Sequence, residues 1–233
     1  MFIGDAPFIN EQFVADKVSP AQLDVLLANG WRHFGTHFFR YSYGYYDLDV
    51  RQVIPLRVRV SRFFCSKSQR RTIRRNEGLE VVIRPIGITP EVEYLFEIHK
   101  QRFKSGVPES IFDFLSERPE KEPCAANELA VYHGGHLAAV SYFDIGERSN
   151  SGIYAMFDPA FSSRRMGIFT MLKEIEYAAS TGKEFYYQGY AYEGTSFYDY
   201  KKQFRGSEAF DWMGNWGEFG VRATSNECKE TLE

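Results

Sequence analysis

Tyr154-Ala155-Met156-Phe157-Asp158-Pro159, continuing through Ser162-Ser163-Arg164-Arg165-Met166-Gly167-Ile168-Phe169, is the stretch on which the fold turns. Ile153 to Phe157 reads as a strand, and Ile168, Leu172, Ile175 and Ala179 form a helical stripe ended by Gly182. Between them lies a loop of Ser, Arg and Gly that opens a helix and presents free N–H groups, the makings of an anion site. Working outward, Leu129 to Tyr132, the turn His133-Gly134-Gly135-His136 and Leu137 to Phe143 predict a β-hairpin. Downstream, Glu184 to Tyr192 alternates as a strand, with Phe185, Tyr187, Gly189 and Ala191 on one face and Tyr186, Gln188, Tyr190 and Tyr192 on the other. Phe197 to Phe204 predicts a helix and Ala209 to Trp212 a last strand, before a polar tail from Val221.

Upstream, Thr89-Pro90-Glu91 opens a helix with Val92, Leu95, Ile98 and Arg102 on one face and Ser105-Gly106 as its stop. Ser110 to Leu115 predicts a short helix, and Pro119 to Pro123 a charged linker. Ser19-Pro20-Ala21-Gln22 has the spacing of a capping box, with Pro at the first helical position and Gly30 at the end. His37 to Tyr43, Gln52 to Val60 and Leu79 to Ile83 read as strands, Pro55 placing the second near an edge or a bulge. The order predicts a mixed α/β (α+β) protein whose sheet is covered by helices. The organisation expected is an N-terminal α/β part over 1–86, a second part over 87–220 and a tail over 221–233.

With 233 residues, 44% apolar and 25% charged, the chain suits one domain, or one with a smaller partner packed on it. No apolar run approaches the roughly 18 residues of a membrane helix. The start, Met1 to Lys17, lacks the basic and apolar regions of a secretory signal. Cys65, Cys124 and Cys228 make neither a CxxC pair nor a disulfide set, and the five histidines have no metal-like spacing. These features predict a cytoplasmic protein without a structural metal.

The net charge of −3 is unevenly spread. Leu56 to Asn76 carries eight Lys/Arg and no acid, while the other residues carry 20 bases and 31 acids. The bland explanation is a surface whose arginines pair with the surplus acids. The interleaved Ser66, Ser68 and Gln69 favour phosphate oxygens instead, through bidentate and neutral hydrogen bonds. The segment is too short, in too acidic a chain, for non-specific duplex binding. A phosphate-rich ligand held at one place, a nucleotide cofactor or an RNA end, fits better.

Arg164-x-x-Gly167-x-Phe169 is similar to the pyrophosphate loop of the GNAT acyltransferases, Arg/Gln-x-x-Gly-x-Gly/Ala, at its first two anchors and departs from it at the third. More of the chain resembles the aminoacyl-tRNA–protein transferases, which comprise arginyl-tRNA–protein transferases and bacterial aspartate/glutamate leucyltransferases. Val58 to Asn76, VRVSRFFCSKSQRRTIRRN, resembles that family's SxSQRR block. YAMFDP (154–159), MGIFTMLKE (166–174), Tyr187-Gln188-Gly189-Tyr190 and YDYKKQF (198–204) resemble further blocks in the same order, over roughly 150 residues.

The resemblance implies a GNAT-like fold with a smaller N-terminal α/β part packed against it. It also implies transfer of an amino acid from aminoacyl-tRNA to the N-terminal amine of an acceptor protein, with no cofactor. Family members carry a Cys-rich N-terminal segment linked to metal or iron–sulfur binding. This chain has no Cys before Cys65, so neither metal nor cluster is expected.

On this reading Ser66, Ser68, Gln69, Arg70 and Arg71 hold the tRNA acceptor end or an acidic acceptor. Asp158, Ser163 and Gly167 form the anion loop; the blander role for Ser162 and Ser163 is helix capping. Tyr154 ends the strand that leads there. Gly189 within a strand signals close approach of a ligand or backbone. Tyr187, Tyr190 and Lys201 are the catalytic candidates, against a half-buried aromatic sheet and an ordinary exposed lysine. The tyrosines between Tyr186 and Tyr200 could also stack on a terminal adenine. The reaction is aminolysis of an activated ester, which asks for orientation, a proton acceptor and oxyanion donors. The alternatives are an acyl-CoA-dependent N-acyltransferase of GNAT type and a non-catalytic binding module.

Overall fold

The computed structural model describes residues 6–104 and 106–219. Cys228, the tail over 221–233 and Ser105 of the expected helix stop lie outside them. The first elements are β1 (Asn10–Val14), α1 (Pro20–Ala28), β2 (Arg32–Phe34), β3 (His37–Tyr41), β4 (Tyr43–Tyr46), β5 (Asp49–Arg59), α2 (Lys67–Arg75) and β6 (Glu80–Pro85). There follow α3 (Pro90–Lys100), β7 (Ala126–His133), β8 (His136–Ile145), β9 (Ser149–Phe157), α4 (Met166–Ser180), β10 (Phe185–Tyr192), β11 (Ser207–Phe210) and β12 (Trp216–Glu218). Among the described residues no helix is long and apolar enough to cross a membrane.

Local chemistry explains most boundaries. Ser19 caps α1 in a complete capping box with Gln22, Pro20 takes the first turn, and Gly30 leaves the helix at φ +82°. Thr89 caps α3 with a single bond, its hydroxyl accepting from Val92 N. Gly134 and Gly135 turn the β7–β8 hairpin with positive φ at both positions. The stretch expected as one strand from His37 to Tyr43 is broken at Ser42. The buried Ser42 hydroxyl accepts from Ile9 N at 2.8 Å and donates to Pro7 O at 2.7 Å, and the chain passes from one sheet to another. The helices expected at 110–115 and 197–204 are 3-10 turns, Ile111–Asp113 and Phe197–Gln203. β1, β2 and β12 had no clear signal in the sequence.

The main sheet runs β12-β11-β5-β10-β9-β8-β7-β6, with β4 also pairing β5; a small sheet runs β1-β3-β2. The strands around Ala155 and Tyr187 therefore share one sheet. The division expected at 86/87 has to be corrected, because it cuts across that sheet. β5 pairs with β4, β10 and β11, and β6 with β7, so residues before 86 supply three of its strands. β5 is interior rather than at an edge. Pro55 is tolerated because the β5–β11 ladder ends at Leu56↔Ala209, one residue away, and because it faces Tyr190 beside a bulge in β10.

Helices cover both faces. α4 buries Met171, Leu172 and Ile175 against Val58, Tyr186 and Phe204, and Met166 and Phe169 against Leu129, Val131 and Phe143. α3 buries Val92, Leu95 and Phe96 against Ala130, Val140, Tyr142 and Met156 on the other face. On that second face α1 and the small sheet pack Leu23, Leu27 and Phe38 around Tyr187.

Candidate active site

β9 and β10 run parallel but pair only from Phe185↔Ser149 to Tyr187↔Ser151, and then part. Both strands are bulged where they separate. In β10 the register shifts between Tyr187 and Gly189, and in β9 the pairing with β8 jumps from Gly152 to Tyr154. Bulges of this kind re-aim side chains and free backbone groups. Gly189 has φ +88°, which only glycine adopts without cost, and a Cβ there would lie 3.3 Å from Lys201 Nζ and 3.6 Å from Arg32 Nη2. Two cations thus meet at one glycine in the gap.

They arrive from different directions. Arg32 comes from β2, bonding Ser151 Oγ at 2.6 Å through Nη1 and the Gly152 carbonyl through Nη2. A guanidinium carries five donors, so others remain for a ligand. Lys201 comes from the 3-10 turn after β10. Its Nζ donates to Tyr190 O at 3.1 Å, and Gln188 Nε2 holds the Lys201 carbonyl at 3.0 Å. Burial, then the neighbouring Arg32, pulls Lys201 down to about 7. On the α4 side Glu174 is buried and accepts from the Tyr186 hydroxyl at 2.5 Å. Burial pushes Glu174 up to about 7, the Tyr186 bond acting against it. The gap therefore brings together a buried lysine, a buried carboxyl and a guanidinium, with the lysine and carboxyl both shifted toward neutrality by burial, a clustering that marks a candidate reaction centre.

The bulge also redistributes the tyrosines. Tyr187 and Tyr190 pair with Arg57 and Pro55 and so share the face toward α1, while Gly189 and Ala191 lie on the face of Tyr186. The expected alternation is corrected there by one residue. Tyr187 OH accepts from Arg57 Nη1 at 3.2 Å and its ring packs on Trp216. Tyr190 OH donates to Gly30 O at 2.7 Å and its ring packs on Tyr41 and Trp212. Burial raises both phenols, so each is committed to the fold rather than to proton transfer. Of the three catalytic candidates, Lys201 lies in the gap. Tyr154 stacks on Phe114 at 3.9 Å, and its buried hydroxyl has no partner among the described residues.

The basic segment divides in two. Its strand half is neutralised: Arg57 and Arg59 both bond Glu208 at 2.7 Å, and Arg62 bonds Glu218 at 2.6 Å. Its helical half, Lys67, Arg70, Arg71, Arg74 and Arg75 on α2, has no carboxylate partner among the described residues and is exposed. Ser66 and Gln69 form the capping box of α2, Gln69 N to Ser66 Oγ at 3.3 Å and Ser66 N to Gln69 Oε1 at 2.8 Å, so their oxygens are committed to the helix start and only the Ser66 O–H and the Gln69 Nε2 amide are left as donors for a phosphate. Arg70 tethers the Cys65 carbonyl at 2.7 Å, and Arg71 makes no such bond.

α2 packs on the strand-to-helix loop. Arg75 bonds the Ser163 carbonyl, Arg164 the Arg75 carbonyl at 2.9 Å, Asn76 the Arg164 carbonyl at 2.9 Å, and Arg165 the Ser68 hydroxyl at 2.7 Å. The two anion-binding stretches read from the sequence form one cationic surface. Asp158 caps the 3-10 turn at Ala160 N (2.8 Å) and meets His136 at 2.9 Å. Ser162 bonds Pro159 O instead of capping α4, whose N-cap is Arg165 at φ +58°, and no side chain closes its first turn. Gly167 sits there in open space.

Arg32 is the site residue that the sequence did not point to. Its partners lie 119 and 120 positions away, and nothing local marks it. Glu174 is buried on α4 but lies off the Ile168, Leu172, Ile175 and Ala179 stripe, so that pattern does not mark it. His33, Cys124 and Asp144, far apart in the sequence, come together in the fold.

The family model described as "Arginine-tRNA-protein transferase, C terminus" matches residues 92–211. An aspartate/glutamate leucyltransferase of Stenotrophomonas maltophilia (strain R551-3) is 30% identical over 174 residues, 71% of this chain and 69% of that protein. One of Campylobacter jejuni (serotype O:6, strain 81116) is 27% identical over 188 residues, 78% and 77% of the two chains. Among solved structures FemX superposes with a TM-score of 0.51 at 11% identity, covering 81% of this chain and 66% of that one, and so shares the fold. With the model matching half of its length and a relative at 30% identity across more than two thirds of both chains, the chain belongs to the arginine-tRNA-protein transferase family.

Proposed function

We propose that the protein transfers an amino acid from aminoacyl-tRNA to the N-terminal amine of a protein, with chemistry in the gap between β9 and β10. The observation that carries this reading is the cationic surface of α2 and the 163–165 loop at the N-terminal end of α4, the helix that carries Glu174 to the gap. Met166 to Glu174 spans about 12 Å along the helix axis, the length of three or four stacked nucleotides. Phosphates of a single-stranded 3′ end held on the surface would place the terminal ester at Gly189.

In the step itself the acceptor amine attacks the ester carbonyl carbon. Lys201, neutral at its lowered pKa, takes the proton that the amine sheds. Arg32 donates to the oxyanion of the tetrahedral intermediate, in a site where water is scarce. The C–O bond to the 3′ oxygen then breaks, and Lys201 returns the proton to that oxygen. Products are an amide and a free 3′ hydroxyl, with no covalent enzyme intermediate. Glu174 and Tyr186 fix the floor of the gap. Charged tRNA is a cytoplasmic substrate, which fits a cytoplasmic location.

The test is an in vitro transfer assay with charged tRNAs and peptides of varied N-terminus, run beside acyl-CoA donors. Amide formation from aminoacyl-tRNA that is lost in Lys201→Met supports the reading. Turnover of acyl-CoA with none of charged tRNA would replace it by an acyl-CoA-dependent enzyme on the same fold.

A further inference from the structure

We propose that His33, Cys124 and Asp144 form a binding site for a divalent transition-metal ion, zinc by the chemistry of its donors. The three come from separate elements: β2, the segment just before β7, and the end of β8. They are 5%, 5% and 1% exposed, and their ligand atoms all lie within 4.8 Å of one another. Zinc bonds of about 2.0–2.3 Å to N, O and S place tetrahedral ligand atoms about 3.3–3.7 Å apart. His33 Nε2 and Asp144 Oδ2 are 3.0 Å apart, close to that spacing, and the Cys124 sulfur lies within 4.8 Å of both.

The hydrogen bonds say what belongs between them. His33 Nδ1 lies 2.8 Å from the Gly35 carbonyl, which can only accept, so Nδ1 carries a proton. This is the outer bond that orients histidines on metals. Nε2 then faces the Asp144 carboxylate. Two lone pairs do not rest at this distance without a cation between them, either a proton or a metal. A proton would satisfy that pair but leave Asp144 Oδ1, buried and without a partner, and the Cys124 sulfur unused. A metal engages all three groups. One thiolate and one carboxylate cancel its double charge, and a mixed N, O, S set suits zinc.

The same trio cannot serve as a Cys–His–Asp nucleophile set. Both ring nitrogens are engaged, by Gly35 and Asp144, so none is left to take a proton from the thiol. A cavity of about 10 Å³, with His33, Cys124 and Asp144 among the residues that line it, has room for one small occupant. The ion ties β2 to the main sheet one residue from Arg32, without entering the β9–β10 gap. Its role is to hold the guanidinium of the preceding residue in register. This inference does not depend on the transfer reaction.

The experiment uses the full chain with Cys65→Ser and Cys228→Ser, which leaves Cys124 as its sole thiol. Chelator-stripped protein is titrated with cobalt(II) and, separately, with zinc. Expected are a thiolate-to-cobalt charge-transfer band in the near ultraviolet saturating at about one equivalent, and a melting temperature that rises with zinc. In that background Cys124→Ala should lose the band, and Asp144→Asn should weaken zinc binding at least tenfold. No charge-transfer band in the parent protein overturns the proposal, whether or not the variants fold. A band that survives Cys124→Ala, or zinc affinity unchanged in Asp144→Asn, overturns the ligand set.

Discussion

Replacing Arg71 and Arg74 together with Ala separates tRNA binding from folding, because neither side chain makes a hydrogen bond or ion pair with the described residues and both are exposed on α2. Stability should therefore stay within about 0.5 kcal/mol, the range of surface changes away from special features. Ala is also the better helix former. Binding is different if these groups meet phosphates. Exposed charge pairs contribute about 1 kcal/mol each, so two lost contacts cost about 2 kcal/mol, or about 30-fold in affinity. Each contact to a single-stranded phosphate contributes about −0.7 to the slope of log affinity against log salt, so the slope should become shallower by about 1.4.

Fluorescence anisotropy of labelled tRNA over a salt series, with thermal melts of the same samples, reads both quantities. Arg57→Ala is the contrasting control. Arg57 is buried, bonds Glu208 and lies 3.8 Å over the Phe185 ring, so its loss takes away one of the two arginines, Arg57 and Arg59, that hold the buried Glu208 carboxylate. It should cost about 1.5–3 kcal/mol of stability, the range of a hydrogen bond to a charged group. An Arg71/Arg74 variant that melts like the parent and keeps both its affinity and its salt slope would remove α2 from the RNA interface and refute the reasoning.

Lys201→Met should abolish the rise of single-turnover transfer rate through about pH 7, and Lys201→Arg should not restore it, since guanidinium stays charged; a rate profile unchanged by Lys201→Met would exclude it as the proton acceptor. The stability signs also follow. The unfolded chain protonates Lys201 up to about 10.5 and the folded chain only to about 7, so the unfolded state binds more protons between them, and stability rises with pH across that window. Glu174 runs the other way. Its folded pKa, about 7, exceeds the unfolded value of 4.5, so stability is greatest below 4.5 and falls as pH rises through 7. Glu174→Gln, which can still accept from Tyr186, should raise the melting temperature at pH 8, by up to about 3 kcal/mol in stability, and change little at pH 4. Equal melting shifts at both pH values would contradict the assignment. Gly189→Ala should cost about 1–2 kcal/mol from its φ of +88° and slow transfer by crowding Lys201 and Arg32; a variant with parental stability and rate would show the gap is wider than described.

What the sequence made legible was whatever a short window could hold. The Ser19-to-Gln22 capping box, the Gly134-Gly135 hairpin and the stripe of α4 each depend on residues within a few positions of one another, and each is present. The same Ser-x-x-Gln spacing recurs at Ser66 to Gln69, among residue types that suit phosphate oxygens. The structure makes it a second capping box, identical in its two bonds to the first. A motif of ligand-like residue types was thus a helix start, and the arginines after it carry the charge. Single-residue shifts were invisible in the same way. The bulge at Gln188 carries no mark in a run of Tyr and Gly, yet it moves Tyr190 off the face expected for it and brings Gly189 against Lys201 and Arg32. Arg32 could not be found by any local rule, because its importance comes from Ser151 and Gly152, which pairing with β10 and β8 brings to it. Resemblance to the family pointed to both halves of the surface, the Arg70 block and the Ser163 loop, as separate sites. Only the packing of α2 on that loop makes them one. It also places that surface at the N-terminal end of the helix whose Glu174 reaches the gap.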